Sequence, residues 1–202
     1  MLSMRGTVFP LTGLLLAGCS QPGSLAPSSE ANFTARDKQQ LANPPYQRVS
    51  ISSTYQRQIV QYHRREAPGS ILVDTGGPFV YYVLPGGKAI RYGAAVGEAG
   101  QAWSGLATVG RKEEWPGWTP TEDEKRRLGP LPNYVPGGAR NPMGARALYL
   151  YAGGKDTLYR IHGTNQPEYI GLAISSGCIR ITNEDAIDLY SRVKIGATVV
   201  VL

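Results

Sequence analysis

The sequence has very few of the side chains that most often bind metals or act as nucleophile and base. Its 202 residues include two cysteines and two histidines. A structural or catalytic zinc site needs three or four ligands, and His162 and Cys178 together would supply only two, so we expect no metal site. The length suits one domain with a core of its own and is too short for two domains of ordinary size.

The sequence also lacks a long hydrophobic run. Its apolar stretch from Leu11 to Ala17 is shorter than the roughly 20 residues that span a bilayer. Arg5 precedes this stretch, and Gly18 and Cys19 follow it, in an order typical of a secretion signal. The segment resembles the lipobox of bacterial lipoproteins; the alternative interpretation is a buried hydrophobic helix.

The lipobox resemblance implies a signal peptide over residues 1–18 and a lipid on Cys19. The mature chain would then be tethered to a membrane surface without crossing it. By the same analogy, the residue after the cysteine indicates the membrane. An aspartate there would favour the inner membrane, and this chain has Ser20, which favours the periplasmic face of the outer membrane.

Blocks of charge are absent as well. The formal net charge is +6, but the basic residues are scattered and no nucleic-acid-binding motif accompanies them. We therefore exclude nucleic acid as a partner. An anionic polymer such as the cell wall, or an acidic membrane surface, suits this charge better.

Large apolar residues are scarce between Ser20 and about Asn43, so we predict that this segment is a tether. Residues 44–67 are more apolar but end in a charged run that contains His63, which we expect to be solvated. These residues are predicted to pack on the domain as an extension. We therefore divide the chain into a signal peptide at 1–18, a tether and N-terminal extension at 19–67, and a catalytic domain at 68–202.

The domain is predicted to be mainly β, with one helix packed near its C-terminus. Thr182 caps that helix, and Gly196 stops it. Short β-prone runs separated by glycine and proline turns predict an antiparallel meander, followed by further strands and a last buried strand. These runs are residues 70–74, 79–84, 88–93, 147–151, 157–162 and 197–202.

Residues 111–146 are rich in proline and glycine, and a charged helical turn is expected at 122–127. Irregular segments of this length inside a small domain are usually functional. We predict a lid or a groove wall.

Cys178 is left as a free thiol if the lipobox claims Cys19. A thiol with a pKa of about 8.5 is mostly protonated near neutrality, so nucleophilic chemistry needs a base or a positive environment. His162, sixteen residues earlier, would be the base. Arg180 adds a cation, and the nearby helix N-terminus at Thr182 favours negative charge.

Glycines adjoin both candidate residues. The N–H groups of Gly177 and Cys178 are candidate donors to an oxyanion, and the carbonyl of Gly163 is a candidate to hold the second imidazole nitrogen of His162. The alternative to a catalytic pair is that Cys178 is an inert buried residue and that His162 only satisfies hydrogen bonds.

These stretches resemble the signature of the YkuD-type L,D-transpeptidases, over about residues 70–202. The family has a histidine followed by glycine, and then Ser-His-Gly-Cys followed by Arg and Asn; this chain has His162-Gly163 and Ser175-Ser176-Gly177-Cys178. Asn141 to Leu150 and Trp115 to Pro120 resemble two further family segments. Ser176 stands where the family commonly has a second histidine, and a serine cannot carry charge near neutral pH.

The resemblance implies a β-sandwich-like catalytic domain without a cofactor, acting on peptidoglycan stem peptides. Cys178 would form a thioester with the third residue of a tetrapeptide stem, and Arg180, Ser176, Asn141 and Arg146 would bind substrate. The acyl acceptor stays open among a stem amine, a lysine of an envelope protein and water. The rival interpretations are an L,D-carboxypeptidase or amidase and a non-catalytic wall-binding lipoprotein.

Overall fold

The computed structural model describes residues 32–98, 101 and 103–202. The predicted signal peptide, Cys19 and the first part of the predicted tether lie outside these residues. No helix within the described ranges has the length and apolarity that crossing a bilayer requires.

Within the described ranges, nine strands form the main sheet and two short strands form a second one. The main sheet contains β1 (Gln58–Gln61), β2 (Ile71–Asp74), β3 (Phe79–Leu84), β4 (Lys88–Gly93), β6 (Gly105–Glu114), β7 (Arg146–Ala152), β8 (Lys155–His162), β10 (Ile179–Arg180) and β11 (Thr198–Val201). Their order is β1-β4-β3-β2-β11-β6-β7-β8-β10. The parallel pair β5 (Val96–Gly97) and β9 (Ala173–Ser175) forms the small sheet.

The predicted mainly β fold is confirmed. Strands β2, β3 and β4 form the expected antiparallel meander. Gly86 and Gly87 adopt positive φ angles of 73° and 67° in the turn between β3 and β4, a conformation that favours glycine. The last strand, β11, is inserted between β2, which runs parallel to it, and β6, which runs antiparallel.

Strand β6 is the long strand that the sequence did not reveal. It alternates buried Ala107 and Val109 with exposed neighbours, among them Leu106 at 66% exposure. The buried residues are few and small, so the period of two is weak. The strand runs on to Glu114, into the segment expected to be irregular.

Three α-helices lie within the described residues: α1 (Ala35–Ala42), α2 (Glu122–Leu128) and α3 (Asn183–Arg192). Helix α3 begins after Thr182 as predicted, but it ends at Arg192, before Gly196. Helix α2 forms at the expected charged turn. Helix α3 is therefore the predicted packed helix near the C-terminus, and α1 lies in the N-terminal extension, outside residues 68–202.

Helix α1 corrects the expectation that the chain is a tether up to about Asn43. Leu41 packs against Trp115 and Ile187, and the carboxylate of Asp37 is fully buried. Strand β1 then pairs with β4, so the extension packs on the sheet as its apolar residues predict. Compact structure therefore begins well before Pro68.

Candidate active site

A groove of about 620 Å³ runs past the C-terminal end of β8 and the start of β10. Both Cys178 and His162 line it, so the structure brings together the two residues predicted to carry the chemistry. The segment 111–146 supplies one wall, as predicted. The wall and floor residues include Trp118, Glu124, Met143, Tyr159, Arg160, Gln166, Ser176 and Arg180.

His162 is the last residue of β8, and it is 4% exposed. Its Nδ1 lies 2.6 Å from the carbonyl oxygen of Gly163. A carbonyl oxygen can only accept a hydrogen bond, so Nδ1 carries the proton in this contact and Nε2 carries the lone pair of the neutral ring. The contact predicted between the Gly163 carbonyl and the imidazole is present, and its role in catalysis stays a prediction.

The surroundings of His162 keep the ring neutral. Burial lowers its pKa to about 3, and the positive charge of Arg180 acts in the same direction. The hydrogen bond to the Gly163 carbonyl opposes this shift but is outweighed. The imidazole is therefore unprotonated near neutrality.

Cys178 lies half-buried just before β10, and its Sγ is 3.8 Å from the carbonyl oxygen of Leu158. Burial raises the pKa of its thiol, and the negative charge of Glu124 adds to this, although Arg160 and Arg180 act in the opposite direction. The resting sulfur is therefore protonated near neutrality. The pair consists of a thiol and a neutral imidazole.

The positive environment that the N-terminus of α3 was expected to give Cys178 stays a prediction. The Thr182 hydroxyl accepts from the Asp185 N–H at 3.2 Å. The first turn of the helix lines a separate cavity of about 370 Å³, together with Leu41 and Tyr46.

The turn before Cys178 is held by Ser175, to which the sequence analysis gave no role. Its Oγ donates to the carbonyl of Cys178 at 2.6 Å and accepts from the N–H of Gly177 at 3.2 Å. Gly177 has a φ of 117°, and a Cβ there would lie 2.5 Å from the ring of Tyr159. Only glycine fits this turn. The oxyanion role of the Gly177 and Cys178 N–H groups stays a prediction.

Asn183, the last residue of the motif, also has a role that the sequence did not reveal. Its Oδ1 accepts from the Ala145 N–H, and its Nδ2 donates to the carbonyl of Thr164, both at 2.8 Å. A Cβ on Gly144 or Gly163 would lie 2.2 or 2.3 Å from Oδ1. Asn183 therefore fixes the backbone that follows His162. The sequence signal for this role was the position of Asn183 at the end of the motif that contains Cys178.

Arg180 and Ser176, both predicted to bind substrate, do line the groove. Nη1 of Arg180 donates to Oε1 of Gln166 at 3.3 Å. The hydroxyl of Ser176 donates to a carboxylate oxygen of Glu124, also at 3.3 Å. Glu124, which comes from α2, is a groove residue that the sequence analysis did not single out.

Asn141 and Arg146 lie elsewhere, which corrects the expectation that they contact substrate. Asn141 is fully buried, and its Nδ2 donates to the carbonyls of Pro116, Val135 and Pro136. Arg146 is 3% exposed and binds both carboxylate oxygens of Asp37, at 2.8 and 2.6 Å. Both side chains hold the fold around the groove.

His63 is exposed and stands apart from the groove. Within the described residues, no three His, Cys, Asp or Glu side chains are grouped so that they could hold a metal ion.

Residues 68–201 match the family model of the YkuD L,D-transpeptidase catalytic domain. The chain belongs to this family. It is 37% identical over 141 residues to a probable L,D-transpeptidase ErfK/SrfK of Escherichia coli K12, covering 65% of this chain and 43% of that protein. It is 47% identical over 95 residues to YbiS of the same strain, also named a probable L,D-transpeptidase, covering 45% of this chain and 29% of that protein. The chain thus spans less than half the length of these curated relatives.

Two solved structures are also similar. The catalytic domain of an Enterococcus faecium L,D-transpeptidase, acylated by ertapenem, has a TM-score of 0.50 at 22% identity, covering 69% of this chain and all of that one. This likeness shows the fold. A Brucella melitensis protein titled a probable carnitine operon oxidoreductase is 44% identical, covering 75% of this chain and 96% of that one, with a TM-score of 0.49.

Proposed function

We propose that this protein is an L,D-transpeptidase that transfers the acyl group of peptidoglycan tetrapeptide stems through a thioester on Cys178. The observation that carries the proposal is the pairing, in one groove, of a free thiol with a neutral imidazole whose tautomer the Gly163 carbonyl fixes. That pair has the parts that nucleophilic acyl transfer requires.

In the first half-reaction, Sγ of Cys178 attacks the carbonyl of the third-position diamino acid while the thiol proton moves to Nε2 of His162. The tetrahedral intermediate then collapses, and the C–N bond to the terminal D-alanine breaks. The imidazolium returns the proton to the departing amine, which leaves a thioester and a neutral His162. Because both groups begin neutral, no separated charge has to be stabilised in the resting site.

Two sets of groups assist this step. Arg180 has only a neutral partner, Gln166, among its side-chain hydrogen bonds in the described region, so its guanidinium suits a substrate carboxylate. The N–H groups of Gly177 and Cys178 are the proposed donors to the oxyanion. The Gly177 N–H now donates to Ser175 Oγ and would donate to the oxyanion instead.

In the second half-reaction, an amine attacks the thioester, a C–N bond forms and the C–S bond breaks. An amine on another stem gives a cross-link between third residues, and a lysine of an envelope protein gives attachment to the wall. Water in place of the amine gives the carboxypeptidase reaction. Incubation with purified muropeptides separates these outcomes, since transfer gives dimers and hydrolysis gives shortened monomers only.

The proposed location is the periplasmic face of the outer membrane, with the protein held there by a lipid on Cys19. The proposal is supported by the sequence before Cys19, in which a basic residue is followed by an apolar stretch and then by small residues. Radiolabelled fatty acid should enter the wild-type protein and not the Cys19→Ala variant. Equal labelling of both proteins would contradict the anchor.

The nucleophile is tested by incubating the protein with a carbapenem and measuring the mass of the intact protein and of its peptides. We expect one adduct, on the peptide that contains Cys178, and none in Cys178→Ala. His162→Gln should slow adduct formation by about 100-fold or more, the usual contribution of a general base. His63→Gln, which changes an exposed histidine, is the matched control. An adduct retained in Cys178→Ala would overturn the proposal.

A further inference from the structure

A carboxylate lies in the groove beside the turn that carries the nucleophile. One oxygen of Glu124 accepts from the Ser176 hydroxyl, two residues before Cys178, at 3.3 Å. The other oxygen accepts from the N–H and the hydroxyl of Thr121, at 2.8 and 3.0 Å. These contacts fix the carboxylate in place with neutral donors only.

The charge of Glu124 is not balanced by an ion pair in the part of the chain that the structure describes. The adjacent groove residue, Asp123, differs in this respect, because its oxygens bind Arg126 at 3.1 Å and Arg127 at 2.9 Å. Burial is the main cause that raises the pKa of the Cys178 thiol, and the negative charge of Glu124 adds to it. The charge therefore lies within electrostatic reach of the reacting sulfur.

The positively charged side chains of the groove also differ in whether they have an ion-pair partner. Arg160 is held by both carboxylate oxygens of Asp156, and Arg111 is paired with Glu113. Arg180 binds the neutral Gln166. The groove thus offers one guanidinium and one carboxylate that have no ion-pair partner within the described residues, a combination that complements a substrate carboxylate and a substrate ammonium.

We propose that Glu124 binds the ammonium group of the acyl acceptor beside the Cys178 thioester. This inference rests on the proposed function, because it assigns the acceptor side of the same groove. Binding of the ammonium group by Glu124 makes the protein selective for a cationic amine over water as the acyl acceptor. Ser176 takes part by orienting the carboxylate, where the resembling family commonly has a second histidine.

The chemistry balances with the groups at hand. An acceptor ammonium loses one proton to solvent and attacks the thioester carbonyl as a free amine. The new C–N bond forms as the C–S bond breaks, and the second amine proton passes through His162 to the departing sulfur. The products are an amide, the Cys178 thiol and one released proton. Glu124 holds the cation near the thioester and does not need to act as the base.

Glu124→Gln is the decisive variant because glutamine keeps the acceptor oxygen of the helix cap and removes the charge. Glu122→Gln is the matched control; it makes the same charge change on the same helix, but its side chain is 79% exposed and outside the groove. Glu124→Asp keeps the charge. The substrates are a tetrapeptide whose side-chain amine is acetylated, so that it acts only as donor, and an unblocked stem peptide as acceptor.

The first half-reaction, measured as carbapenem acylation, should not be slowed in Glu124→Gln, because the variant loses one of the causes that raise the pKa of the Cys178 thiol. The KM for the acceptor should rise about tenfold, the worth of one charge-assisted hydrogen bond, and hydrolysed donor should replace dimer as the main product. Glu122→Gln should match the wild type, and Glu124→Asp should retain part of the preference for dimer.

Three results would overturn the inference: an unchanged ratio of dimer to hydrolysed donor in Glu124→Gln, an equal loss of acylation and transfer in that variant, or a wild-type enzyme that forms no dimer. The failure of the proposed function is distinguishable from these. It would appear as an absence of acylation at Cys178 in the wild type, before any acceptor is added.

Discussion

Helices α1 and α2 begin with the same local device and use it differently. Thr34 with Asp37, and Thr121 with Glu124, form capping boxes in which each side chain bonds the backbone of the other residue. Asp37 is fully buried and also binds Arg146 and the Trp115 Nε1–H. Glu124 is half-buried and faces the groove.

The difference shows that a capping box sets where a helix starts and does not set what its carboxylate does next. Around Asp37, the partners are Trp115 and Arg146, which come from distant parts of the chain. Burial would raise the pKa of Asp37, but the hydrogen bonds from Arg146 and Thr34 outweigh it and lower the pKa. The first carboxylate fastens the N-terminal extension to the domain, and the second is left available to a ligand.

Removing the buried carboxylate should produce the largest effect on stability. Asp37→Ala leaves Arg146 buried without its bidentate partner, which typically costs about 3–5 kcal/mol. Urea denaturation of the wild type and the variant measures the free energy of unfolding. The control, Asp123→Ala, breaks exposed ion pairs and should cost about 1 kcal/mol or less. Similar losses in the two variants would show that α1 is not anchored as described.

Trp115→Phe should have a smaller effect on the same anchor. It removes the Nε1–H that donates to Asp37 at 2.8 Å and leaves the ion pair with Arg146 in place. The loss of one hydrogen bond to a buried charged group corresponds to roughly 1–3 kcal/mol. The same urea titration measures it, and a loss as large as that of Asp37→Ala would contradict the dominance of Arg146.

Asp185, in the first turn of α3, is a further carboxylate to compare with Asp37. Its ion-pair partner, Arg57, is more distant than Arg146 is from Asp37. Burial raises its pKa to about 7, and Arg57, at 3.9 Å, only partly offsets this. The folded protein therefore holds this proton over a pH range in which the unfolded chain has lost it. The contribution of Asp185 to stability falls as pH rises from about 4 to about 7. Asp185→Asn should gain stability over the wild type at pH 8 and not at pH 4; an equal difference at both values would refute the shift.

The smallest effects should come from the caps themselves. Thr34→Ala removes the bond that its hydroxyl accepts from the Asp37 N–H. Thr121→Ala removes the bond from the Glu124 N–H and also the hydroxyl's bond to the Glu124 carboxylate. The loss of such a cap costs about 0.5–2 kcal/mol. We expect Thr34→Ala to lower global stability, since α1 is packed on the core. Thr121→Ala should chiefly speed amide hydrogen exchange within Glu122–Leu128. Hydrogen exchange by mass spectrometry distinguishes the two, and faster exchange throughout the protein in Thr121→Ala would contradict the account.

Local patterns were sufficient to predict the β2–β3–β4 meander, the start of α3 and the contact of His162 with the Gly163 carbonyl. In each case the information lies within a few residues of the element. The anchor between Asp37 and Arg146 joins positions 109 residues apart, so neither its existence nor the folding of α1 could be read from local composition. The raised pKa of Cys178 likewise depends on groups that only the fold brings together.

The most direct test of the central claim is the pH dependence of carbapenem acylation at Cys178. A thiol that gives its proton to a neutral His162 should react at a nearly constant rate between about pH 5 and pH 8, because the pKa of His162 lies near 3 and the thiol stays protonated. A rate that rises through a pKa near 6.5, or that increases tenfold with each pH unit, would contradict this account of the pair.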